Sequence, residues 1–596
     1  MLPVKQNAGR TVMDLNGIWN FQLDDGTQYK EDAMPGILAS PDPIAVPASY
    51  NDQKDSMAYR DHYGWAFYQR TVTAPAALKG QRLWLRFEAV VHTAKVWLNG
   101  RLVCTHIGGF LPFETEITDI LPAGSSALLT VAVNNSISHS TLPVGHDPDV
   151  AAVWNTPSQS IFSLEQASRS SKLQNRPNFD FFNYAGISRP VWLYTTPVNY
   201  IKDVTVCGST DGRVTYHVDT EGEGKISFAV LDAEGKEIAA AVGSEGTVQL
   251  PDPKLWWPWP KTPYLYTAHI TFGEDSYDQA FGLRSVEVQG TQFLINGEPF
   301  YFKGFGKHED SYFHGRGLDN CLNVKDINLI HWLGANSFRT SHYPYAQEMY
   351  DLCDQQGIVI IDETPAVGLN MGTSANPYEF GTMAHHKQVL NDLIARDKNH
   401  PSVVMWSLGN EPDLENFPRS AYEYWHDLYE LAHAADPQNR PVTIACCLND
   451  YTKDITTPAM DVICLNRYYG WYNLSGDLDA ACHAWNLELD FWEKLGKPVM
   501  LTEYGADTIN GFHQTVPVMF SEEFQKEYYH RINAECDKRS FFIGEHVWNF
   551  ADFATVQGVR RVDGNRKGLF TRDRAPKMAA HHLRERWNKI PNFHYK

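Results

Sequence analysis

Two patterns of apolar residues divide the chain. Up to about residue 286, apolar and polar positions alternate in short runs, as in Gln81–Phe87 and Lys225–Leu231. A period of two, interrupted by turn residues such as Asn99-Gly100, is typical of antiparallel strands with one buried face. The pattern therefore predicts a β-sandwich over residues 1–197 and a smaller, immunoglobulin-like sandwich over residues 198–286.

From about residue 287 onward, short apolar runs alternate with segments of helical periodicity. In the helical segments apolar residues recur at intervals of three and four, as in Trp425, Leu428 and Tyr429. Eight strand-like runs separated by such segments predict a (β/α)8 TIM barrel over residues 287–596. The eight runs are Tyr301–Gly306, Ala335–His342, Gly357–Thr364, Val403–Glu411, Pro441–Cys447, Val462–Tyr469, Pro498–Gly505 and Phe541–Phe550.

Two of these strand-like runs lead into a glutamate. The run that begins at Val403 stops at Asn410 and Glu411, and the run that begins at Pro498 leads to Glu503. Barrel active sites lie at the C-terminal ends of the strands. The fourth and seventh strands stand on opposite sides of the barrel mouth, so we expect the two glutamates to face each other across one pocket.

Two carboxyl groups that face each other across a sugar are the machinery of glycoside hydrolysis, and a separation of about 5–5.5 Å is typical of the retaining mechanism. We assign Glu411 as the acid/base because Asn410, an amide able to bind a sugar hydroxyl, precedes it. We assign Glu503 as the nucleophile because the hydroxyl of Tyr504 is expected to hold its carboxylate ionised. The charge on Glu503 is then expected to raise the pKa of Glu411. This mechanism requires no metal and no other cofactor.

Composition narrows the range of partners. The 596-residue chain carries a formal net charge of −20, which argues against nucleic acid or an anionic membrane as a partner. An anionic substrate would consequently need a local cluster of basic residues. The sequence shows no N-terminal secretion signal, no apolar run of about 20 residues, and no CxxC pair among its nine cysteines. We therefore expect a cytoplasmic protein without disulfide bonds or a metal site.

The two glutamate motifs resemble the signatures of a known enzyme family. Asn410-Glu411-Pro412 and Thr502-Glu503-Tyr504-Gly505 are similar to those of glycoside hydrolase family 2. The resemblance covers the whole chain and implies a jelly-roll sandwich, an immunoglobulin-like sandwich and a TIM barrel. Four further stretches resemble the β-glucuronidases of this family, in their bacterial type: Asp180–Gly186, Arg339–Pro344, Asn466–Tyr472 and Trp548–Phe553. The function implied is retaining hydrolysis of β-D-glucuronides to glucuronic acid and an alcohol.

The segment Asn565-Arg566-Lys567-Gly568 bears on the charge of the substrate. In an extended loop, the side chains of residues 565 and 567 point the same way, so that an amide and an ammonium could hold one carboxylate. From the residues alone, a solvated basic loop is the plainer interpretation. The resemblance implies instead that Asn565 and Lys567 recognise the C6 carboxylate of glucuronic acid, with Arg561 adding to the local positive field.

Further substrate-binding residues are implied by the same resemblance. Asp180 is expected to reach from the first sandwich into the barrel mouth and bind sugar hydroxyls, although an aspartate that caps a turn would give the same local pattern. For His308, a ligand contact and a core position are equally good interpretations. The acid pair Asp362-Glu363 is expected to support the site structurally. The sugar subsite is expected to be lined by His342, Asn410, Tyr468, Tyr472, Tyr504 and Trp548.

Two alternatives to a β-glucuronidase stay open. One is a family 2 hydrolase of another sugar, a β-galacturonide or a β-galactoside, and the other is a non-catalytic carbohydrate-binding protein that uses the sandwich. The loop Met371–Ala384 is short or intermediate in length, and the polar stretch 143–177 has no derivable role. The expected partner is a small-molecule or oligosaccharide glucuronide, and analogy with the family suggests a homo-tetramer.

Overall fold

The computed structural model describes residues 1–24, 36–146, 175–370, 375–447 and 450–596 of the chain. Most of the polar stretch 143–177 and residues 371–374 of the loop Met371–Ala384 therefore lie outside the described residues. The described chain forms two antiparallel sandwiches and a closed parallel barrel, which confirms the predicted fold class. Among the residues described, none of the helices combines the length and the apolar composition that a membrane span requires.

The first sandwich packs a four-stranded sheet, in the order β1-β14-β5-β9, on a six-stranded sheet, in the order β3-β2-β4-β10-β7-β8. The inward-facing residues of both sheets, among them Trp19, Phe21 and Leu193, form one buried apolar core. A short helix, α1 (Met57–Arg60), lies at the edge of this domain. The strands are β1 (Val12–Asp14), β2 (Gly17–Leu23), β3 (Asp42–Val46), β4 (Trp65–Thr73), β5 (Arg82–Phe87), β6 (Val90–Val91), β7 (Thr93–Leu98), β8 (Arg101–Ile107), β9 (Phe113–Glu116), β10 (Ser126–Asn134), β11 (Gly145–His146), β12 (Arg176–Pro177), β13 (Gly186–Ile187) and β14 (Val191–Thr196).

The second sandwich is smaller and has sheets in the orders β15-β16-β19 and β18-β17-β20-β21. Tyr216 and Phe228 stack between the two sheets with ring centroids 3.8 Å apart. Its strands are β15 (Tyr200–Gly208), β16 (Arg213–Glu221), β17 (Ile226–Leu231), β18 (Glu237–Val242), β19 (Glu245–Gln249), β20 (Tyr266–Phe272) and β21 (Asp275–Phe281). Trp256, in the segment between β19 and β20, is fully buried and donates to the carbonyl of Asp354 at 2.8 Å, so this sandwich is anchored to the barrel.

A three-stranded antiparallel sheet precedes the barrel. It consists of β22 (Val286–Gln289), β23 (Gln292–Ile295) and β24 (Glu298–Pro299), and Phe293 and Ile295 pack from it into the closed end of the barrel. The segment predicted as the barrel domain therefore opens with an antiparallel sheet. The sequence pattern did not separate this sheet from the barrel strands, because its strands are only two to four residues long.

Eight parallel strands close the barrel in chain order, and each lies within one of the eight predicted runs. Every residue of these strands is buried, because their inner face fills the barrel and their outer face packs on helices. The strands are β25 (Phe302–Gly306), β26 (Ser337–Arg339), β27 (Val359–Glu363), β28 (Val403–Asn410), β29 (Val442–Cys446), β30 (Ile463–Asn466), β31 (Val499–Glu503) and β32 (Phe542–Val547).

Helices of the outer layer follow the apolar periodicity and have local start and stop signals. The first begins after Asp319, whose side chain accepts from the backbone of Leu322, and ends at Gly334 with a positive φ of 76°. These helices are α2 (Asn320–Leu333), α3 (Gln347–Gln356), α4 (Met383–Asp397), α5 (Pro418–Ala435), α6 (Leu478–Trp492), α7 (Glu522–Cys536) and α8 (Met578–Lys589).

The first sandwich covers one side of the barrel mouth. Phe110 stacks on Tyr343 with centroids 4.7 Å apart, and Arg189 donates to the carbonyls of Phe110 and Pro344. Phe182 donates from its backbone to the carbonyl of Ala554 at 2.8 Å. These contacts hold the segment that contains Asp180 over the C-terminal ends of the barrel strands.

Candidate active site

Both predicted catalytic glutamates lie at strand ends and line one pocket of about 260 Å³. Glu411 follows β28, and Glu503 is the last residue of β31. The first sandwich supplies part of the wall, and the barrel supplies the rest. The lining residues are Asn178, Phe179, Asp180, Phe181, His308, His342, Val367, Gly368, Asn370, Asn410, Glu411, Tyr468, Tyr472, Glu503, Trp548, Arg561 and Asn565.

Glu503 is held by two donors that favour its charged form. The guanidinium of Arg339 donates to Oε1, and the hydroxyl of Tyr468 donates to Oε2 at 2.7 Å. Arg339 is itself fully buried and forms a second ion pair, at 2.7 Å, with Glu363. This carboxylate therefore sits in a fixed orientation at the tip of β31.

Glu411 has a different environment. Its Oε1 accepts one hydrogen bond from the amide of Asn466, at 3.0 Å. Its backbone has a φ of 52°, in the left-handed region that costs free energy for a residue with a side chain. The backbone N–H donates to the carbonyl of Ala445 on the next strand at 2.8 Å, which helps to hold the strained conformation. Strain of this kind is common where a side chain must be aimed at a ligand.

Burial raises the pKa of both glutamates, that of Glu503 to about 8, and the charge on Glu411 adds to the increase at Glu503. Two carboxyl groups that interact in this way titrate as a pair. Charge-assisted donors from Arg339 and Tyr468 stabilise the ionised form of Glu503, whereas Glu411 receives one neutral amide donor. We therefore place the negative charge on Glu503 and the proton on Glu411.

The origin of the raised pKa differs from the prediction. We expected the charge on Glu503 to raise the pKa of Glu411, but burial is the largest cause, and Asp180 adds to it. The sequence could not show how deeply the carboxyl group is buried, because the first sandwich closes the pocket from a distant part of the chain.

Tyr504 does not contact Glu503. Its hydroxyl donates to the amide oxygen of Asn533 on α7 at 2.6 Å, and it does not line the pocket. Successive side chains at a strand end point to opposite faces, so Glu503 faces the barrel mouth while Tyr504 faces the helices. The prediction that Tyr504 binds substrate and holds Glu503 ionised was wrong, and Tyr468 from the neighbouring strand end supplies the hydroxyl instead.

A group of polar side chains at one end of the pocket contains Arg561 and Asn565 of the predicted carboxylate clamp, whereas Lys567 is not among the residues that line the pocket. Arg561 forms a bidentate ion pair with Asp180, and the amide of Asn565 donates to the same carboxylate at 2.8 Å. Lys567 is fully buried and contacts the carboxylate of Asp507 and, at 2.8 Å, the hydroxyl of Tyr472. Because a buried ammonium needs a partner, the solvated basic loop is excluded.

The remaining predicted residues also lie at the pocket. His342 stacks on Trp548 with centroids 5.1 Å apart, and its Nδ1 lies 2.8 Å from Glu363. Asn410 accepts through its amide oxygen from Asn466 at 3.0 Å. His308 lines the same pocket, and its Nε2 has no hydrogen-bond partner among the described residues. Because this nitrogen is buried although the ring lines the pocket, both interpretations of His308, a ligand contact and a core position, stay open.

Three residues that contribute to the site had no role in the sequence analysis. Arg339 and Asn466 belong to recognised motifs, but nothing in their sequence context showed that they reach the two glutamates. Asp507 lies four residues after Glu503, in a segment without any pattern of its own. The position of Arg339 at the tip of a predicted barrel strand was the one available signal.

The chain matches three family models that together span most of its length. They are the sugar-binding domain of glycosyl hydrolases family 2 over residues 12–197, a second glycosyl hydrolases family 2 model over residues 191–284, and the TIM-barrel domain of glycosyl hydrolases family 2 over residues 286–592. The order of the three matches follows the order of the domains along the chain.

Full-length relatives give the same result. The chain is 45% identical to a β-glucuronidase of Paenibacillus borealis, with 100% of this chain and 99% of the relative covered. A solved β-glucuronidase of Faecalibacterium prausnitzii is 60% identical, with a TM-score of 0.97 and coverage of 99% and 100%. The Bifidobacterium dentium β-glucuronidase in complex with coumarin-3-O-glucuronide is 54% identical, with a TM-score of 0.95 and both chains covered completely. This chain belongs to glycoside hydrolase family 2, in its β-glucuronidase branch.

Proposed function

We propose that the protein is a retaining β-glucuronidase that hydrolyses β-D-glucuronides to glucuronic acid and an alcohol by double displacement. One observation carries the proposal: two buried glutamates with different hydrogen-bond partners line the same pocket as Arg561 and Asn565. This combination provides a nucleophile, an acid and a site for an anionic sugar. Family membership supports the reaction type, and the donor arrangement supports the sugar.

In the first step, the Glu503 carboxylate attacks the anomeric carbon while Glu411 gives its proton to the glycosidic oxygen. The bond between that carbon and the oxygen breaks, the alcohol leaves, and a glucuronosyl ester forms on Glu503. Arg339 and Tyr468 keep the attacking carboxylate charged and aimed at the sugar. Asn410, which lines the pocket, is proposed to bind a sugar hydroxyl.

In the second step, Glu411 takes a proton from water, and the resulting nucleophile attacks the anomeric carbon from the side that the alcohol left. The ester bond breaks and Glu503 is released as a carboxylate. During the life of the ester, Glu503 carries no charge, so the pKa of Glu411 falls and the group can act as a base. The product keeps the β configuration because each step inverts the carbon once.

The clamp gives the sugar its orientation. Arg561, Asn565 and Lys567 are proposed to bind the C6 carboxylate, and Asp180 is proposed to accept from the sugar hydroxyls. His342, Trp548, Tyr468 and Tyr472 are proposed to form the walls of the sugar subsite. A neutral hexose offers no carboxylate to the clamp, whose donors would keep their pairs with Asp180 and Asp507, so it would forgo charge-assisted hydrogen bonds of about 1.5–3 kcal/mol each.

The location, the domain boundaries and the oligomeric state of the protein are also proposed. We propose a cytoplasmic location, which is supported by nine cysteines, none of which forms a disulfide bond in the described part of the chain. The residue boundaries of the three domains, at 197/198 and 286/287, and a homo-tetrameric assembly are also proposed. Light scattering of the purified protein measures the assembly directly, and a monomer would contradict this part of the proposal.

The substrate is tested with a panel of aryl glycosides. We expect kcat/KM for the β-D-glucuronide to exceed that for the β-D-galactoside by at least about 10³-fold, because a site that is built to pair a polar group discriminates strongly against its absence. The β-D-galacturonide keeps the carboxylate and differs from the glucuronide in the configuration at C4, so its turnover measures the contribution of the C4 hydroxyl alone. Equal turnover of glucuronide and galactoside would contradict the proposed clamp.

The two catalytic roles are tested by azide rescue of alanine variants. Glu503→Ala should lower kcat by about 10⁴-fold or more, and azide should restore turnover with an α-configured product from a single displacement. Glu411→Ala should give a β-configured azide from interception of the ester. Glu488→Gln removes a buried glutamate that pairs with Arg467 outside the pocket and serves as a control for folding. The reverse pattern of products would exchange the two roles.

A further inference from the structure

Asp507 lies directly behind the carboxylate clamp and is almost fully buried. Its Oδ2 accepts from the ammonium of Lys567 and lies 3.5 Å from a terminal nitrogen of Arg561. Its Oδ1 accepts from the backbone of Arg566 at 2.9 Å. One carboxylate thus contacts both cations of the clamp and the backbone between them, without lining the pocket itself.

Lys567 needs such an anchor because its other surroundings do not fix its direction. The ammonium lies 5.8, 5.6 and 4.7 Å from the ring centroids of Tyr468, Trp471 and Tyr472. Aromatic rings attract a cation, but they leave a compact and rotatable ammonium free to turn. Asp507 and the hydroxyl of Tyr472 take two of its three N–H donors, so that the third has one direction left.

We propose that Asp507 is a positioning residue that sets the selectivity of the pocket for an acidic sugar. The proposal rests on the proposed function, because it concerns the same clamp. Asp507 pairs with the ammonium of Lys567 and fixes its direction before substrate binds, while Asp180 pairs with Arg561. The cluster of two cations and two aspartates is then neutral before substrate arrives, and recognition depends on the direction of the remaining donors.

Removing the Asp507 charge has two opposing effects. The substrate carboxylate would lose a repulsive neighbour, but the ammonium would be left buried without a charged partner and without a fixed direction. The second effect is larger because Asp507 contacts the ammonium directly, whereas the substrate approaches from the pocket side. Acidic ligands should therefore bind more weakly to Asp507→Asn.

A second buried pair nearby provides a matched control. Lys577 donates to Asp552 at 2.7 Å, and Asp552 also accepts from the backbone of Gly568 at 3.0 Å. Both residues are buried, and neither lines the pocket. Asp552→Asn thus breaks a comparable aspartate–lysine pair in the same region without touching the clamp.

The test compares two ligands that differ at C6. D-Glucaro-1,5-lactam carries the carboxylate, and D-glucono-1,5-lactam carries a hydroxymethyl group. Calorimetry gives the affinity of both for the full-length wild-type protein and for Asp507→Asn, Asp507→Glu and Asp552→Asn. We expect Asp507→Asn to reduce the preference for the acidic lactam by about 10- to 100-fold, the range of a charge-assisted hydrogen bond, with the neutral lactam unaffected.

In kinetic measurements, Asp507→Asn should raise KM for the glucuronide by a larger factor than it lowers kcat. The reason is that the ammonium of Lys567 is proposed to contact the C6 carboxylate, a part of the sugar that does not react. Asp507→Glu keeps the charge but displaces it, so its preference should fall between those of the wild type and Asp507→Asn. Asp552→Asn should lower the melting temperature and keep the wild-type preference.

Each contrary result has a distinct meaning. A wild-type protein without preference for the acidic lactam would overturn the proposed function itself. A wild-type preference that Asp507→Asn retains, or an equal loss of affinity for both lactams, would overturn the role of Asp507 and leave the function standing. If Asp507→Asn does not fold, Asp507→Glu decides the question, and an unchanged preference in that variant overturns the proposal.

Discussion

The hydroxyl of Tyr468 offers a direct test of how the nucleophile is kept charged. It donates to Oε2 of Glu503 at 2.7 Å, while Arg339 serves Oε1. Tyr468→Phe removes one oxygen atom and leaves the ring in the wall of the pocket. The carboxylate of Glu503 then keeps its ion pair but loses its second donor.

The magnitude follows from the strength of such a bond. A hydrogen bond to a charged group contributes about 1.5–3 kcal/mol, and a shift of one pKa unit corresponds to about 1.4 kcal/mol. The donor favours the ionised form, so its loss raises the pKa of Glu503, in the same direction as burial. We expect the acid limb of the kcat/KM profile to move to higher pH by about 1–2 units.

The assay is kcat/KM for a fluorogenic β-glucuronide across the pH range in which the enzyme survives preincubation. Tyr469→Phe is the matched control, because its hydroxyl donates at 3.0 Å to Glu488 in the barrel wall and does not reach the pocket. An acid limb that stays in place in Tyr468→Phe, or that moves equally in both variants, would refute the reasoning.

Three further predictions concern single buried groups. Burial next to a second carboxylate holds the folded-state pKa of Asp362 well above its usual value, so the wild type loses free energy of unfolding as pH rises above the unfolded-state pKa of this group. Asp362→Asn removes this loss and should raise the melting temperature at pH 8. Burial opposes the charge on His400, but Asp354 outweighs it and raises the pKa of His400 to about 9. The charged His400 should therefore add about 3 kcal/mol to the free energy of unfolding measured in urea titrations. This contribution should be complete below pH 6.5, disappear as pH rises through 9, and be absent in His400→Gln. Asn466→Ala should move the alkaline limb of kcat/KM to higher pH, because the amide that lowers the pKa of Glu411 is lost, and an unmoved limb would contradict this.

The sequence allowed the fold and the two glutamates to be predicted because both depend on local patterns. A run such as Val403–Asn410 is too apolar for a surface strand and too short for a buried helix, so it predicts a barrel strand. The residue after such a run lies at the barrel mouth wherever the rest of the chain goes. This is why Glu411 and Glu503 could be placed in one pocket without knowledge of any contact.

The partners of these residues depend on tertiary contacts, and there the prediction was limited. Tyr504 is next to Glu503 in sequence but faces the opposite way, whereas Tyr468 reaches Glu503 from another strand. Asp507 and Lys567 are 60 residues apart and meet only because the segment between β32 and α8 folds back over the barrel mouth. Sequence adjacency is therefore a poor guide to contact at strand ends, where side chains alternate between faces.

The charge arrangement of the pocket resolves an apparent conflict between the protein and its proposed substrate. A chain with a net charge of −20 is expected to repel an anionic sugar unless its site is strongly positive. Three cations of the site are nevertheless paired with acids among the described residues, Arg339 with Glu363 and Glu503, Arg561 with Asp180, and Lys567 with Asp507. Excess positive charge thus does not explain selectivity. Donors that are fixed by these acids before binding need little reorganisation when a carboxylate arrives, and that preorganisation supplies the discrimination.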